Sequence, residues 1–165
     1  MGEMKAISVK DRTGDPFQIC RCYPGDLSRL MDMYRVFSPK PASQGLPPPD
    51  SETCKGWVEG LLEGGENLLA RKQEEVIGHA VLIPNPDKDS GEFVIFVHQD
   101  YRKLGVGTHL TRLTLERARE LGMKSVWLTV AVTNVIAIRL YRKVGFEYCD
   151  MDECERTMIV RLGKG

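Results

Sequence analysis

The segment that most limits the possible folds is EFVIFVHQDYRKLGVGTHL, from Glu92 to Leu110. Its first seven residues are nearly all β-branched or aromatic, the composition of a strand covered on both faces. After a short turn come Gly105 and Gly107. An apolar-periodic run marked by Leu110, Leu113, Ala118 and Leu121 follows. That run reads as a long helix, with Arg112, Glu116, Arg119 and Glu120 facing solvent and Gly122 as its stop. The first-turn N–H groups of a helix have no intrahelical partners. Glycines there let a ligand approach the backbone, and the helix dipole makes the site positive. The turn is therefore suited to an anion, with pyrophosphate the natural occupant and Arg102 and Lys103 adding charge.

Two common phosphate motifs are absent. No G-x-x-x-x-G-K-[ST] run exists. A dinucleotide G-x-G-x-x-G fails because Leu110 stands at the third glycine position. Lys and Arg together number 23, equal to Asp and Glu, so the net charge is zero. Such a balance gives no global pull toward nucleic acid or an anionic membrane, and an anion must be held locally. No apolar stretch is long enough to cross a bilayer, and the first residues, MGEMKAISVKDRTGDPF, lack the apolar core and cleavage site of a secretory signal. Five cysteines (Cys20, Cys22, Cys54, Cys149 and Cys154) form no zinc spacing, and the three histidines form no ligand set. Reduced thiols, a cytoplasmic location and no metal are the expectation.

One domain spans residues 1–165, with a core over about 17–162. Residues 17–23 alternate as a first strand. Asp26 is placed to cap a helix with Leu27, Leu30, Met31, Tyr34 and Phe37 on one face. The proline-rich SPKPASQGLPPPD that follows is either a connector or a substrate-facing loop. Asp50 or Ser51 opens a second helix that ends at Gly64-Gly65. NLLARK and EVIGHAVLIP form a hairpin around Gln73 to Glu75, and KSVWLTV is a later strand. Asn134 caps a helix carrying Ile138 and Tyr141, which stops at Gly145. A closing antiparallel pair ends the chain. The expected order is β-α-α-β-β-β-α-β-α-β-β.

The R-x-x-G-x-G of Arg102 to Gly107, the strand before it, and N-x-x-A-x-x-x-Y-x-x-x-G-F from Asn134 to Phe146 resemble the GNAT N-acetyltransferase superfamily. The resemblance implies a mixed, mostly antiparallel α/β (α+β) sheet flanked by helices. It also implies acetyl-CoA as co-substrate. Lys103, Leu104, Gly105, Val106, Gly107 and Thr108 would offer backbone donors to the pyrophosphate beside Arg102. Ile95, Phe96 and Val97 would line the pantetheine arm, with the Val97 amide as the oxyanion donor. Asn134 would contact the cofactor arm. Tyr141 would be the general acid that protonates the departing thiolate, and Glu92 the general base, with His98 a weaker candidate for that role. The reaction implied is direct attack of a primary amine on the thioester in a ternary complex. A non-catalytic acetyl-CoA-binding sensor is the alternative.

The acceptor stays open between a protein lysine and a small amine. Asp26, Ser38 and Pro39 resemble the outline of bacterial protein-lysine acetyltransferase domains, but the residues after Ser38-Pro39 depart from it. Relatives acting on ribosomal-protein N-termini carry a glutamate where Thr129 stands, which argues against that substrate. A homodimer follows only from family habit. Neither nucleic acid nor a membrane is expected as a partner.

Overall fold

The expected elements all form, together with one strand that the sequence pattern does not reveal. The computed structural model describes residues 5–38, 47–87, 89–151 and 155–163. The strands β1 (Ile7–Lys10) and β2 (Pro16–Arg21) lead to helices α1 (Leu27–Val36) and α2 (Ser51–Gly64). β3 (Glu66–Lys72), β4 (Glu75–Pro84) and β5 (Ser90–Val97) form a meander. Then come α3 (Val106–Glu120), β6 (Ser125–Ala131), α4 (Val135–Val144), β7 (Glu147–Met151) and β8 (Glu155–Arg161). One sheet holds them in the order β1-β2-β3-β4-β5-β6-β8-β7. All neighbours pair antiparallel except β5 and β6. This is the mixed, mostly antiparallel sheet expected.

β1 escapes the sequence pattern because it is a short edge strand. Of Ile7, Ser8, Val9 and Lys10 only Val9 is half-buried, so no clear apolar alternation marks it. Its partner β2 has Phe17 and Ile19 buried, and these make the pattern legible. Residues 39–46, which include Pro39 and most of the proline-rich segment, lie outside the described residues, as does Cys154.

The sheet has a separate apolar cluster on each face. Phe93, Leu110, Val126 and Phe146 belong to the cluster under α3 and α4. Leu30, Tyr34, Val58 and Phe96 belong to the cluster under α1 and α2. A fully buried leucine such as Leu110 contributes about 2 kcal/mol from apolar burial, which is what seats α3 on the sheet. The caps divide less simply. The Asp50 carboxylate accepts from the Thr53 N–H at 2.9 Å and starts α2. Asp26 stands before α1 but makes no cap bond there. Its carboxylate instead accepts from the Tyr23 N–H at 2.9 Å and closes the short 3-10 turn Pro24–Asp26.

A polar chain is buried between the α1/α2 layer and the sheet. Tyr34 Oη lies 2.6 Å from His79 Nδ1, and His79 Nε2 lies 2.7 Å from Asn67 Oδ1. Asn67 Nδ2 donates to the Leu61 and Gly65 carbonyls at 2.8 and 3.0 Å. These two acceptors turn Oδ1 toward His79, so Nε2 carries the imidazole proton and Nδ1 accepts from the tyrosine. Every polar atom in the chain is paired, which is the condition for burying it.

Candidate active site

The site begins where two neighbouring strands part. β5 and β6 pair from Ser90↔Ser125 to Glu92↔Trp127, and the pairing ends there. β4 continues alongside β5 as far as Gly78↔Val97. From Ile95 onward, no strand pairs with the edge of β5 that would face β6. The His98 N–H points to β4, donating to the Ile77 carbonyl at 2.9 Å. Backbone N–H groups alternate along a strand, so those of Ile95 and Val97 point the other way, into the gap. Ile95 and Val97 are only half-buried, although they lie in the middle of the sheet. The expectation of a strand covered on both faces therefore holds for Phe93 and Phe96 but not for these two. An apolar floor beside open backbone donors suits an amide-bearing apolar arm.

The glycine turn stands at one end of this gap. α3 begins at Val106, and its first internal bond runs from the His109 N–H to the Gly105 carbonyl at 3.1 Å. The N–H groups of Val106, Gly107 and Thr108 precede that bond and are left for an external acceptor. Lys103 has φ 65° and Gly105 has φ 94°, both left-handed. Such turns gather successive N–H groups into an anion-binding concavity. The two glycines serve different needs. Gly105 supplies the left-handed conformation. Gly107 makes room, because a Cβ there would lie 2.9 Å from Leu140 Cδ1 on α4. Part of the reason for Gly107 is thus helix packing rather than ligand access.

The β1–β2 turn holds the glycine turn from outside. The Arg12 N–H donates to the Leu104 carbonyl at 2.9 Å, and Arg12 Nη1 donates to the Lys103 carbonyl at 3.1 Å. Both carbonyls are thereby drawn toward Arg12. Sequence reasoning missed Arg12 because it lies 91 residues from its partner. The available signal was the turn DRTGD, in which Asp11 accepts from the N–H groups of Thr13 and Asp15.

Arg102, expected beside the pyrophosphate, bonds protein groups on the β5 and α1 ends. Its Nε donates to the Val97 carbonyl at 2.9 Å, and Nη2 donates to the Ser38 carbonyl. The guanidinium carbon stands 5.1 Å from the centre of the Phe37 ring.

Tyr141 and Glu92 flank the gap from opposite faces of β5. The Tyr141 ring packs edge-on against Phe93 and Phe146, with centroids 6.3 and 5.7 Å apart. Burial pushes its phenol well above the ordinary range. Among the described residues no hydrogen bond is made by its hydroxyl, and no wholly enclosed side-chain oxygen lacks a partner. The Tyr141 oxygen therefore reaches the protein surface. Glu92 is the last β5 residue paired with β6, and its side chain points to the α1/α2 face. It is half-buried and forms no ion pair among the described residues, and burial raises its carboxyl above the usual range. His98 is buried with Nδ1 accepting from the Asp100 N–H at 3.1 Å, which ties it to the turn Gln99–Tyr101. Asn134 caps α4 through Oδ1, accepting from the Ala137 N–H at 3.3 Å. Thr129 is exposed and sits opposite Thr157 on β8. Among the described residues no three His, Cys, Asp or Glu side chains gather as a metal site.

The Acetyltransferase (GNAT) family model matches residues 28–146, and the chain belongs to that family. It is 43% identical over 68 residues to an uncharacterized N-acetyltransferase of Methanocaldococcus jannaschii. That match covers 41% of this chain and 30% of the relative, so the chain spans about a third of that protein. The GNAT domain of S. lividans PAT superposes with a TM-score of 0.84 at 17% identity, covering 95% of this chain and 97% of that one. The PaiA N-acetyltransferase of Thermoplasma acidophilum, solved in complex with coenzyme A, gives 0.69 at 19% identity, covering 88% and 99%. At these identities the likeness to solved structures is one of fold.

Proposed function

We propose that the chain transfers an acetyl group from acetyl-CoA to a primary amine by direct attack within a ternary complex. The observation that carries this is the split after Glu92↔Trp127, which leaves β5 backbone without a strand partner on the way to the unpaired first-turn N–H groups of α3. The residues fit acetyl-CoA. First-turn donors of α3 receive the pyrophosphate, and the open edge at Ile95 and Val97 receives the amide-bearing arm. A neutral amine approaches from the Glu92 face. As the new C–N bond forms, the Val97 N–H donates to the oxygen that gains charge. Glu92 accepts the proton released by the amine nitrogen, directly or through one water. The C–S bond breaks, and the Tyr141 hydroxyl donates its proton to the sulfur. A phenol with a strongly raised pKa remains protonated at neutral pH and can act as this acid. Glu92 then passes its proton to water, and water returns one to the tyrosine, which restores both groups.

Thiol release from acetyl-CoA across small primary amines and lysine peptides tests the reading. Tyr141→Phe keeps the ring packed on Phe93 and Phe146, so CoA affinity and melting temperature stay near wild type. Turnover falls by about a hundredfold or more. An acetyl-CoA sensor would instead bind CoA and give no amine-dependent thiol. Wild-type chain that fails to bind CoA would remove both readings.

A further inference from the structure

We propose that Arg102 and Gln99 are positioning residues that clamp the end of α1 to the end of β5, and that the Arg102 cation is not used on phosphate. The proposal deepens the acetyltransferase reading and rests on it.

The clamp holds backbone groups of Val36 and Ser38 at one end and the Val97 carbonyl at the other. The Gln99 side-chain oxygen accepts from the Ser38 N–H at 3.1 Å, and its Nε2 donates to the Val36 carbonyl at 2.7 Å. Arg102 takes the other backbone polar group of Ser38, its carbonyl. Both backbone groups of Ser38 are therefore held by side chains from the segment that joins β5 to the phosphate turn. The other arm of the Arg102 fork holds the Val97 carbonyl, and the Phe37 ring lies against the guanidinium. Two acceptors 59 residues apart in sequence are thus bridged by one planar group, which the fixed geometry of a guanidinium permits and a single ammonium does not.

The position of the clamp gives it a catalytic consequence. Val97 is the residue whose N–H faces the gap, so a tether on its carbonyl restrains the strand end that presents that donor. Phe37 also packs on Phe96, with centroids 5.8 Å apart. Phe96 shares the α1/α2 face of β5 with Glu92. An amine approaching Glu92 meets the face whose far end the clamp secures. The bonds that occupy Arg102 leave its charge directed at carbonyls, while the first-turn N–H groups of α3 remain for the anion.

Arg102→Lys and Gln99→Leu separate the possibilities in the full-length chain. Lysine retains charge for a phosphate but cannot bridge both carbonyls. Leucine at 99 changes no charge at all. CoA affinity is measured by calorimetry at low and high salt, and kcat and KM for acetyl-CoA by thiol release with lysine peptides and small primary amines. Hydrogen exchange is followed over residues 36–38. We expect CoA affinity within about threefold of wild type and an unchanged salt dependence for both variants. We expect kcat to fall about tenfold, and exchange at Ser38 to accelerate. A wild-type kcat and exchange rate in Arg102→Lys would overturn the proposal. So would a tenfold loss of CoA affinity with a shallower salt dependence in that variant, because this is the mark of a phosphate contact. If wild-type chain binds CoA but turns over no amine, the exchange rates and CoA affinities decide alone. If it binds no CoA, the acetyltransferase reading fails, and the Ser38 exchange data still test the clamp.

Discussion

Lowering the pH from 7 to 5 should cost this protein about 2 kcal/mol through His79 alone. The imidazole is fully buried, and no carboxylate lies among its hydrogen-bond partners Tyr34 and Asn67. Burial pushes its pKa down to about 3. In the unfolded chain the group titrates near 6.5. Between these values the unfolded state binds one more proton than the folded state, so folding stability falls as the pH falls. The slope is about 1.4 kcal/mol per pH unit for one proton. The loss starts near pH 6.5, reaches about 2 kcal/mol at pH 5, and continues toward pH 3. Urea unfolding at pH 7 and pH 5 measures it. With a slope near 2 kcal/mol per molar, the wild-type midpoint should drop by about 1 M from this group. His79→Gln offers Tyr34 an acceptor and Asn67 a donor but has no proton to gain. Carboxylates that titrate in both proteins cancel in the comparison. The variant should therefore lose about 2 kcal/mol less than wild type over the same interval. Equal losses in the two proteins would refute the assignment of a neutral, proton-excluding histidine.

Three other expectations follow from the site. The rate at limiting substrate should fall on the acid side with a pKa above the usual glutamate range, because burial raises Glu92. Glu92→Gln should abolish that limb and lower turnover at least tenfold, and a limb retained in the variant would assign the base elsewhere. Gly105→Ala forces a side chain into φ 94°, costing about 1–2 kcal/mol and disturbing the anion turn, so both melting temperature and CoA affinity fall. Gly107→Ala meets only the flexible end of Leu140 and should cost less stability, so calorimetric melting that ranks the two variants the other way would contradict the packing argument. Asn134→Ala removes the α4 cap, lowering stability by about 1 kcal/mol and the melting temperature by about 3 °C. Unchanged melting with weakened CoA binding would reassign Asn134 to the cofactor.

The sequence by itself determined the features that depend on near neighbours. The period of Leu110 to Leu121 makes α3 a helix. Asn134 and Gly145 bound α4, and the first-turn N–H groups after Gly105 exist wherever a helix begins. Even the anion preference of that turn is local, since it comes from adjacent backbone dipoles. Tyr141 and Glu92 are candidates that the family resemblance offers from the sequence. What each of them faces could not be read there.

Tertiary structure decided directions and partners. β6 leaves β5 after Glu92↔Trp127 while it stays paired with β8 as far as Ala131↔Glu155, and the apolar pattern of β5 does not show that departure. Arg102 has the same charge whether it meets phosphate or two carbonyls. Only the arrival of α1, more than 60 residues away, offers it Ser38 and Phe37. Arg12 reads as an exposed turn residue until β1 pairs with β2 and sets it on the glycine turn. Such contacts join distant parts of the chain, and a side chain's type limits what it can bond without choosing among the partners the fold provides.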